Sequence, residues 1–250
     1  MIEELMKDGI YVMHALTGYE YHERRVIELF EKHQLNFEFV TDGDPIHFTD
    51  ELLANYFVAD IKNILSQGSL SCTLNHIMTY EKIVQRKNKY AIIFEDDPFF
   101  IVDFKTGFNK MSKEIETLPK GFIISLENSS LRFPSYHQTK DGKYIYRATK
   151  GRMAGAYLMD LEAAIRILND LKQFKCHTVI DWWHNSLVER EVVKMYWAHP
   201  PLIEQGSHNG QMNSTNSTRP EAWSRRIGWV IQKNFKWYVR RLFKENRILD

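Results

Sequence analysis

Apolar and polar positions follow two different periods in the first part of the chain. Residues 9–16 form an apolar run that predicts a strand. Residues 23–33 place apolar side chains three and four positions apart and predict an amphipathic helix, and residues 37–40 alternate as a second strand. A strand, a helix and a strand within about forty residues are typical of the start of a parallel α/β sheet.

The same pattern continues through the middle of the chain. Residues 71–86 predict a helix with Ser71 as its N-cap. Residues 90–94 are continuously apolar, which indicates a strand buried on both faces of a parallel sheet. The further predicted elements are a strand at 122–126, an exposed strand at 143–147 and a helix at 161–174.

Charge is balanced overall but unevenly distributed. The chain has 33 Lys and Arg against 32 Asp and Glu, a net charge of +1. Residues 219–250 nevertheless carry nine basic and three acidic side chains. We therefore divide the chain into a main domain, residues 1–218, and a basic amphipathic C-terminal extension, residues 219–250.

The extension has the pattern of a membrane-surface helix. Apolar side chains recur at helical spacing over residues 223–243, with Lys and Arg beside them and with Trp229 and Trp237 as interfacial aromatics. The alternative is that this stripe packs on the main domain or on a second subunit. Nucleic acid is disfavoured as a partner, because the aromatic residues are grouped with aliphatic ones.

The composition and the lack of a recognisable targeting signal predict a folded cytoplasmic protein. Hydrophobic residues make up 44% and charged residues 26%, which are ordinary globular proportions. No apolar run approaches the roughly 18 residues that span a bilayer, and the first residues are acidic where a secretory signal is basic. Cys72 and Cys176 are too few for a disulfide framework, which favours a reducing compartment.

Three consecutive acids follow the buried strand at 90–94. Ligands of open α/β sheets gather beyond the carboxyl ends of the strands, where Glu95, Asp96 and Asp97 are expected. Clustered carboxylates repel one another unless a cation compensates, and their oxygen atoms suit Mg²⁺ or Mn²⁺. The alternative is a solvated turn with an acid that caps a helix.

The order of motifs resembles one enzyme family. Gly68-x-x-Ser71-Cys72-x-x-Asn75-His76, followed by a helix and a strand ending in Glu95-Asp96-Asp97, resembles the family 25 glycosyltransferases, the lipooligosaccharide galactosyltransferase-like group. Ser71 and Asn75 replace a Gly and a Ser of the family pattern. The resemblance extends over about residues 9–218, and its specific part is the acidic triplet with the upstream Cys and His.

This resemblance implies a GT-A type (Rossmann-like) nucleotide-sugar-binding fold with a C-terminal helical extension. It also implies a metal-dependent, inverting enzyme that transfers a hexose, galactose from UDP-galactose, to a bacterial lipooligosaccharide or another surface glycan. In that interpretation Glu95 and Asp97 bind Mn²⁺ or Mg²⁺, and Asp96 contacts the ribose or the metal. His208 is a candidate late-chain metal ligand, with a surface histidine as the alternative.

The remaining site residues bind the donor or move a proton. The expected donor-binding residues are Cys72, His76, Gly155 and Arg24, although His76 also suits a satisfied core histidine and Arg24 a solvated helix face. We expect Asp181 to be the base, because a carboxylate beside two tryptophans is desolvated and the aromatic rings can stack on a sugar. A helix cap is its alternative role. Glu127 is the second candidate base, or an ordinary loop acid.

Two other functional classes fit parts of the sequence. A non-catalytic relative with the same fold would bind glycans or mediate adhesion. A metal-dependent phosphoryl-transfer enzyme would also use clustered acids, but we find neither a P-loop nor a second carboxylate cluster. For the transferase, the expected partners are a nucleotide sugar and a glycan or lipid-linked acceptor, at the inner face of the cytoplasmic membrane.

Overall fold

The chain folds around a seven-stranded sheet with helices on both faces. The computed structural model describes residues 5, 7–212 and 222–249. The strands are β1 (Ile10–Met13), β2 (Glu38–Val40), β3 (Tyr90–Phe94), β4 (Pro98–Phe100), β5 (Phe122–Ser125), β6 (Ile145–Ala148), β7 (Ala156–Asp160), β8 (Lys194–Ala198) and β9 (Ile203–Gln205). The described helices are α1 (Glu20–Lys32), α2 (Asp50–Tyr56), α3 (Ile61–Ile64), α4 (Gln67–Arg86), α5 (Phe104–Thr117), α6 (Leu161–Gln173), α7 (Ile180–Glu189), α8 (Gly206–Asn209) and α9 (Ala222–Asn234).

The sheet is mixed, with the strand order β2-β1-β3-β7-β5-β8-β6. Strands β2, β1 and β3 are parallel to one another, and β5 is parallel to β8. Strands β7 and β6 run antiparallel to their neighbours. A separate antiparallel pair, β4 with β9, lies outside this sheet. The α/β class predicted from the sequence is therefore confirmed, whereas a wholly parallel sheet is not.

Strand β3 shows how the sheet separates two hydrophobic cores. Successive side chains of a strand point to opposite faces. Ile93 therefore packs in the core that contains Leu74 of α4, whereas Ile92 and Phe94 pack in the core that contains Phe30 of α1. All three β3 side chains are buried, as the continuous apolar run predicts.

The carboxyl ends of the parallel strands meet at one edge of the sheet, where Asn75 of α4 ties two loops together. Its Oδ1 accepts a hydrogen bond of 2.7 Å from the Gly43 amide, after β2. Its Nδ2 donates at 3.3 Å to the His14 carbonyl, directly after β1. A Cβ on Gly43 would lie 2.6 Å from the Asn75 amide nitrogen, so only glycine allows this approach.

Three details of the sequence interpretation are wrong. Helix α4 begins at Gln67, because the Ser66 side chain caps the Ser69 amide, and Ser71 is a buried residue inside the helix. Strand β7 was not predicted, since its residues are all buried and show no alternation. Strand β6 is mostly buried rather than exposed, because the end of the chain covers it through a bridge between Ala148 and Ile248.

The C-terminal extension contacts the rest of the protein along one side. Arg225 of α9 donates to the carbonyls of Ser207 and Met212, and Lys233 pairs with Glu204. Trp237 packs against Phe133 at a ring separation of 5.0 Å, so it faces the protein and not an external interface. No helix in the described part of the chain is long and apolar enough to cross a membrane.

Candidate functional site

A cavity of about 470 Å³ opens at the carboxyl edge of the sheet. The loops after β1, β2 and β3 form its walls, together with the start of α4 and with Ser207 of α8. We call it the donor cavity, after the donor-binding role that the sequence predicts for its residues. Glu95, Asp96, Asp97 and Cys72 all line it, so the structure brings the predicted acidic triplet and the predicted cysteine to one place.

Asp96 is held by two histidines. His14 Nδ1 lies 3.3 Å from Asp96 Oδ2, and His22 Nδ1 lies 3.1 Å from Oδ1. Burial opposes ionisation of this carboxylate, but the two imidazoles outweigh it and lower the pKa of Asp96. Burial likewise opposes the charged form of His22, yet the Asp96 carboxylate raises the pKa of that imidazole. Asp96 is thus an ionised group whose oxygens are already engaged by protein.

Glu95 lies in the same wall and is half-buried. Its Oε2 accepts a hydrogen bond of 2.7 Å from Gln205 Nε2. Its Oε1 lies 3.9 Å from both Cys72 Sγ and His76 Nε2. Burial, followed by the nearby charges of Asp97 and Asp181, raises the pKa of Glu95 well above its usual range. A cation bound to this carboxylate would stabilise its charged form, which burial and the neighbouring carboxylates disfavour.

Asp97 has one engaged oxygen and one unengaged oxygen. Oδ2 accepts a hydrogen bond of 2.8 Å from the Ser207 amide. Oδ1 is buried and has no hydrogen-bond partner within the described residues. Burial and the adjacent charge of Asp96 raise the pKa of this carboxyl group. A buried acceptor without a partner is costly and therefore indicates a missing ligand.

The residues of the donor cavity fit a divalent cation. Glu95 and Asp97 supply hard oxygen ligands, and both are destabilised as isolated anions. His208 lies in α8, half-buried, and does not form a compact ligand set with them. Over the described residues, the compact set of three metal-binding side chains is instead Cys72, His76 and Glu95, whose ligand atoms lie within 4.8 Å of one another.

Gly155 positions Glu95 instead of lining the cavity. Its carbonyl accepts a hydrogen bond of 3.0 Å from the Glu95 amide. A Cβ on Gly155 would lie 2.2 Å from Cδ of Gln205, the residue that donates to Glu95. Ser129 Oγ in turn donates to Gln205 Oε1 at 2.8 Å. The absence of a side chain at Gly155 thus gives Gln205 the space to hold Glu95.

A second cavity of about 340 Å³ contains Asp181. We call it the basic cavity. Asp181 lies in the first turn of α7, and its Oδ1 is buried without a partner among the described residues. Burial, with a smaller contribution from Glu127, raises the pKa of Asp181 to about 6. Val179 is the N-cap residue of α7, so Asp181 does not have the capping role considered as its alternative. Trp182, beside it, is 65% exposed and lines the cavity.

Glu127 is enclosed by protein. It is fully buried, accepts hydrogen bonds from the Ser129 amide and from Ser125 Oγ, and lines neither cavity. Burial raises the pKa of Glu127, while the nearby Arg152 guanidinium opposes the rise. This position suits Glu127 to balance the charge of Arg152. Of the two candidate bases, only Asp181 lines a cavity.

A buried hydrogen-bond chain connects the walls of the two cavities. His76 Nδ1 and Tyr157 Oη are 2.8 Å apart, Tyr157 and Tyr80 Oη atoms are 2.7 Å apart, and Tyr80 Oη lies 2.7 Å from His184 Nε2. Burial lowers the pKa of His76 well below its usual range and that of His184 to about 3, so both rings are neutral. His76 therefore has the core position considered as its alternative role, behind Glu95.

Arg24 does not reach the donor cavity. It is exposed on α1, whereas the next residue, Arg25, points inward. The Arg25 guanidinium donates to the Pro98 carbonyl and stacks over the Phe99 ring at 3.8 Å. Helical geometry separates consecutive side chains by about 100°, so adjacent arginines cannot share one environment.

Comparison with known proteins identifies the family. The model of glycosyltransferase family 25 (LPS biosynthesis protein) matches residues 20–183, which include the acidic triplet and Asp181. The chain belongs to glycosyltransferase family 25. It is therefore a glycosyltransferase of lipopolysaccharide biosynthesis, a class that uses a nucleotide-sugar donor and a glycan acceptor. No curated protein gave a match to the chain.

Several residues of the two cavities were missed by the sequence interpretation. His14 and His22 bind Asp96, and Arg152 lines the basic cavity. Sequence spacing carries no signal for the histidines, because they lie 82 and 74 positions from Asp96. The small residues around Arg152, from Gly151 to Gly155, were the one local signal of close backbone packing.

We predict that Gly155→Ala displaces Gln205 and loosens Glu95. The expected loss in the free energy of unfolding is about 1–3 kcal/mol, because the new methyl group overpacks a buried, doubly hydrogen-bonded side chain. Gly228→Ala is the matched control: its Cβ would meet nothing within 4 Å, and it lies inside α9, so stability should rise by up to about 1 kcal/mol. Equal behaviour of the two variants in urea denaturation would contradict the role of Gly155.

We predict that Asp181→Asn stabilises the protein at neutral pH. The folded pKa of Asp181, about 6, is above the unfolded value of 3.8, so burial of the charge destabilises the fold fully above pH 6 and not below the unfolded pKa. The variant should therefore gain up to about 3 kcal/mol over the wild type between pH 4 and pH 7. Urea denaturation across this range measures the gain, with the exposed-acid variant Asp141→Asn as reference. A difference that does not change with pH would contradict the buried charge.

Proposed function

We propose that the protein is a metal-dependent, inverting hexosyltransferase with a GT-A type fold, and that its donor is a UDP-hexose, galactose being the sugar suggested by the family resemblance. The observation that carries the proposal is the pair Glu95 and Asp97. Asp97 is buried and Glu95 is half-buried at the donor cavity, both have raised pKa values, and Asp97 Oδ1 has no partner among the described residues. Mn²⁺ or Mg²⁺ bound there supplies positive charge for the diphosphate of the donor.

One wall of the donor cavity is held in place by contacts within the protein. It consists of Asp96, His14 and His22. The two imidazoles lower the pKa of Asp96, so this carboxylate stays ionised without a metal. Their ring edges and the neighbouring Asp44 line the cavity, where a nucleoside presents hydroxyl and base groups. We assign to this wall the binding of the nucleoside, and to Glu95 and Asp97 the metal end of the donor.

Asp181 is the base of the proposed reaction. Inversion by direct displacement requires that the acceptor hydroxyl lose its proton as its oxygen attacks the anomeric carbon and the bond to the diphosphate breaks. The proton passes to Asp181 Oδ1, which is buried, has no described partner and borders a cavity with an exposed tryptophan. Its pKa of about 6 allows it to be ionised at neutral pH and still accept a proton.

We predict that two acid variants separate donor binding from turnover. Wild type and Asp181→Asn should both gain thermal stability with a UDP-hexose and Mn²⁺ together, because a ligand bound by the native state alone raises stability. Asp97→Asn should lose this gain. Transfer activity should fall by about 10²–10⁴-fold in Asp181→Asn if it provides general base catalysis.

The measurements are thermal shift with UDP-galactose, UDP-glucose and UDP-N-acetylglucosamine, each with and without Mn²⁺, and product formation for turnover. Asp141→Asn, at an exposed turn, is the control for loss of an acid. No shift with any donor would contradict the proposal. A shift with Zn²⁺ alone that is abolished by Cys72→Ser and unaffected by Asp97→Asn would assign the metal to the Cys72, His76 and Glu95 set instead.

The extension supports a peripheral position at the cytoplasmic membrane face. Apolar side chains of α9 and the turns after it are exposed, including Ile227 at 54% and Ile231 at 63%. Arg226, Arg240 and Lys244 are exposed beside them. Apolar side chains flanked by cations suit an anionic lipid surface, with about 1 kcal/mol for each nearby basic residue. We therefore propose that residues 222–243 contact anionic lipid.

We predict that the double variant Ile227→Glu/Ile231→Glu loses vesicle binding. Wild type should sediment with vesicles that contain anionic phosphatidylglycerol and much less with neutral phosphatidylcholine vesicles. Ile64→Glu is the matched control, since Ile64 is 49% exposed on α3, away from the extension. Equal binding to both lipids, or a lipid-free dimer that the double variant dissociates, would contradict the membrane assignment.

A further inference from the structure

The basic cavity has a charge composition that transfer to a neutral sugar does not require. Its described lining contains four cationic side chains and a single carboxylate, Asp181. The cations are Arg132, Lys150, Arg152 and Arg247. Arg152 is buried and the other three cations are partly exposed, so the lining presents more positive than negative charge and suits an anionic ligand.

Two of these cations already have protein partners. Arg132 Nη1 lies 3.4 Å from Glu245 Oε1, and Lys150 Nζ lies 2.9 Å from Glu189 Oε1. Both basic side chains are partly exposed, so these pairs lie toward the rim of the cavity. They orient the two cations without filling the cavity.

The other two cations have no ion pair among the described residues, although the charge of Glu127 lies near Arg152. Arg152 is 1% exposed; its Nη2 donates to the carbonyls of Ser125 at 2.7 Å and Ala198 at 2.9 Å, which fixes the guanidinium. Its Nη1 is buried and has no partner among the described residues. Arg247 lines the same cavity and has no ion pair within the described part of the chain. A fixed guanidinium with an unused donor suits a carboxylate or phosphate oxygen.

The position of this charge relative to Asp181 links it to the acceptor. Asp181 lines the basic cavity together with His184. The hydrogen-bond chain from His184 through Tyr80 and Tyr157 ends at His76, whose Nε2 lies 3.9 Å from Glu95 of the donor cavity. The exposed Trp182 ring offers a face for a sugar ring in the same cavity. The attacking hydroxyl and an anionic group of one saccharide can therefore occupy the basic cavity together.

We propose that the acceptor is an anionic saccharide whose phosphate or carboxylate group is bound by Arg152 and Arg247, with Arg132 and Lys150 at the rim. This inference rests on the proposed function, because it treats Asp181 as the base that receives the acceptor proton. The arginines hold the anion and orient the sugar. They take no part in bond breaking.

Binding of three matched probes tests the charge preference. Galactose, galacturonate and galactose 6-phosphate are titrated by calorimetry into the protein saturated with UDP and Mn²⁺, and also into Asp97→Asn without UDP. We expect the two anionic probes to bind at least tenfold more tightly than galactose. Similar binding of all three probes would overturn the proposal. The two anions also show whether phosphate or carboxylate is preferred.

One double arginine variant and one control variant show which residues produce the preference for anionic probes. In Arg132→Met/Arg247→Met the anionic probes should lose about tenfold or more in affinity, while galactose binding stays unchanged. These side chains are partly exposed, so the variant avoids the fully buried Arg152. Arg166→Met is the control, since Arg166 is also 40% exposed and pairs with a glutamate on α6, outside the cavity. Retention of the preference in the double variant would overturn the proposal.

Donor binding in the same variants separates this inference from the proposed function. Arg132→Met/Arg247→Met should keep the Mn²⁺-dependent thermal shift with a UDP-hexose. If that shift is normal but no anion preference exists, the anionic acceptor is wrong and the transferase assignment stands. If the anion preference exists in a protein without any donor shift, the donor site is wrong, and the basic cavity is an anion site of another kind.

Discussion

Repulsion among buried carboxylates is the constraint on which the rest of this structure depends. Burial raises the pKa values of Glu95, Asp97 and Asp181, and the charge of a neighbouring carboxylate raises each of them further. A fold keeps such an arrangement only if other packing compensates and a ligand relieves it. The sheet provides the compensation, because its strands contribute apolar side chains to a hydrophobic core on each face.

The acidic side chains near the two cavities have different surroundings, and these surroundings suit them to different roles. Asp96 lies against His14 and His22, which lower its pKa, so it is ionised without a ligand. Glu127 is enclosed beside Arg152, where it balances a buried cation. Within the described residues, neither Glu95 nor Asp97 has a Lys or Arg at ion-pair distance, which is why they are the proposed metal ligands. In the proposed function, carboxylates thus border the nucleoside, balance an arginine, bind the metal and accept the proton.

The two cavities lie on either side of a shared set of buried polar contacts. Gln205 holds Glu95, and the chain from His76 through Tyr157 and Tyr80 to His184 fixes the wall between them. Neutral, fully buried imidazoles make this wall rigid instead of titratable near neutral pH.

The sequence alone determined the class of fold, the apolar strand at 90–94, the acidic triplet after it and the family, because these depend on local periodicity and on consecutive residues. It also pointed to Asp181 through the adjacent tryptophans. Only the tertiary structure separated the environments of the three acids, placed Arg24 on an exposed helix face away from the donor cavity, and showed that Gly155 positions Gln205 and Glu95. It also joined Arg152 and Arg247 in one cavity, since contacts between residues distant in the chain arise only when the sheet and the C-terminal segment come together.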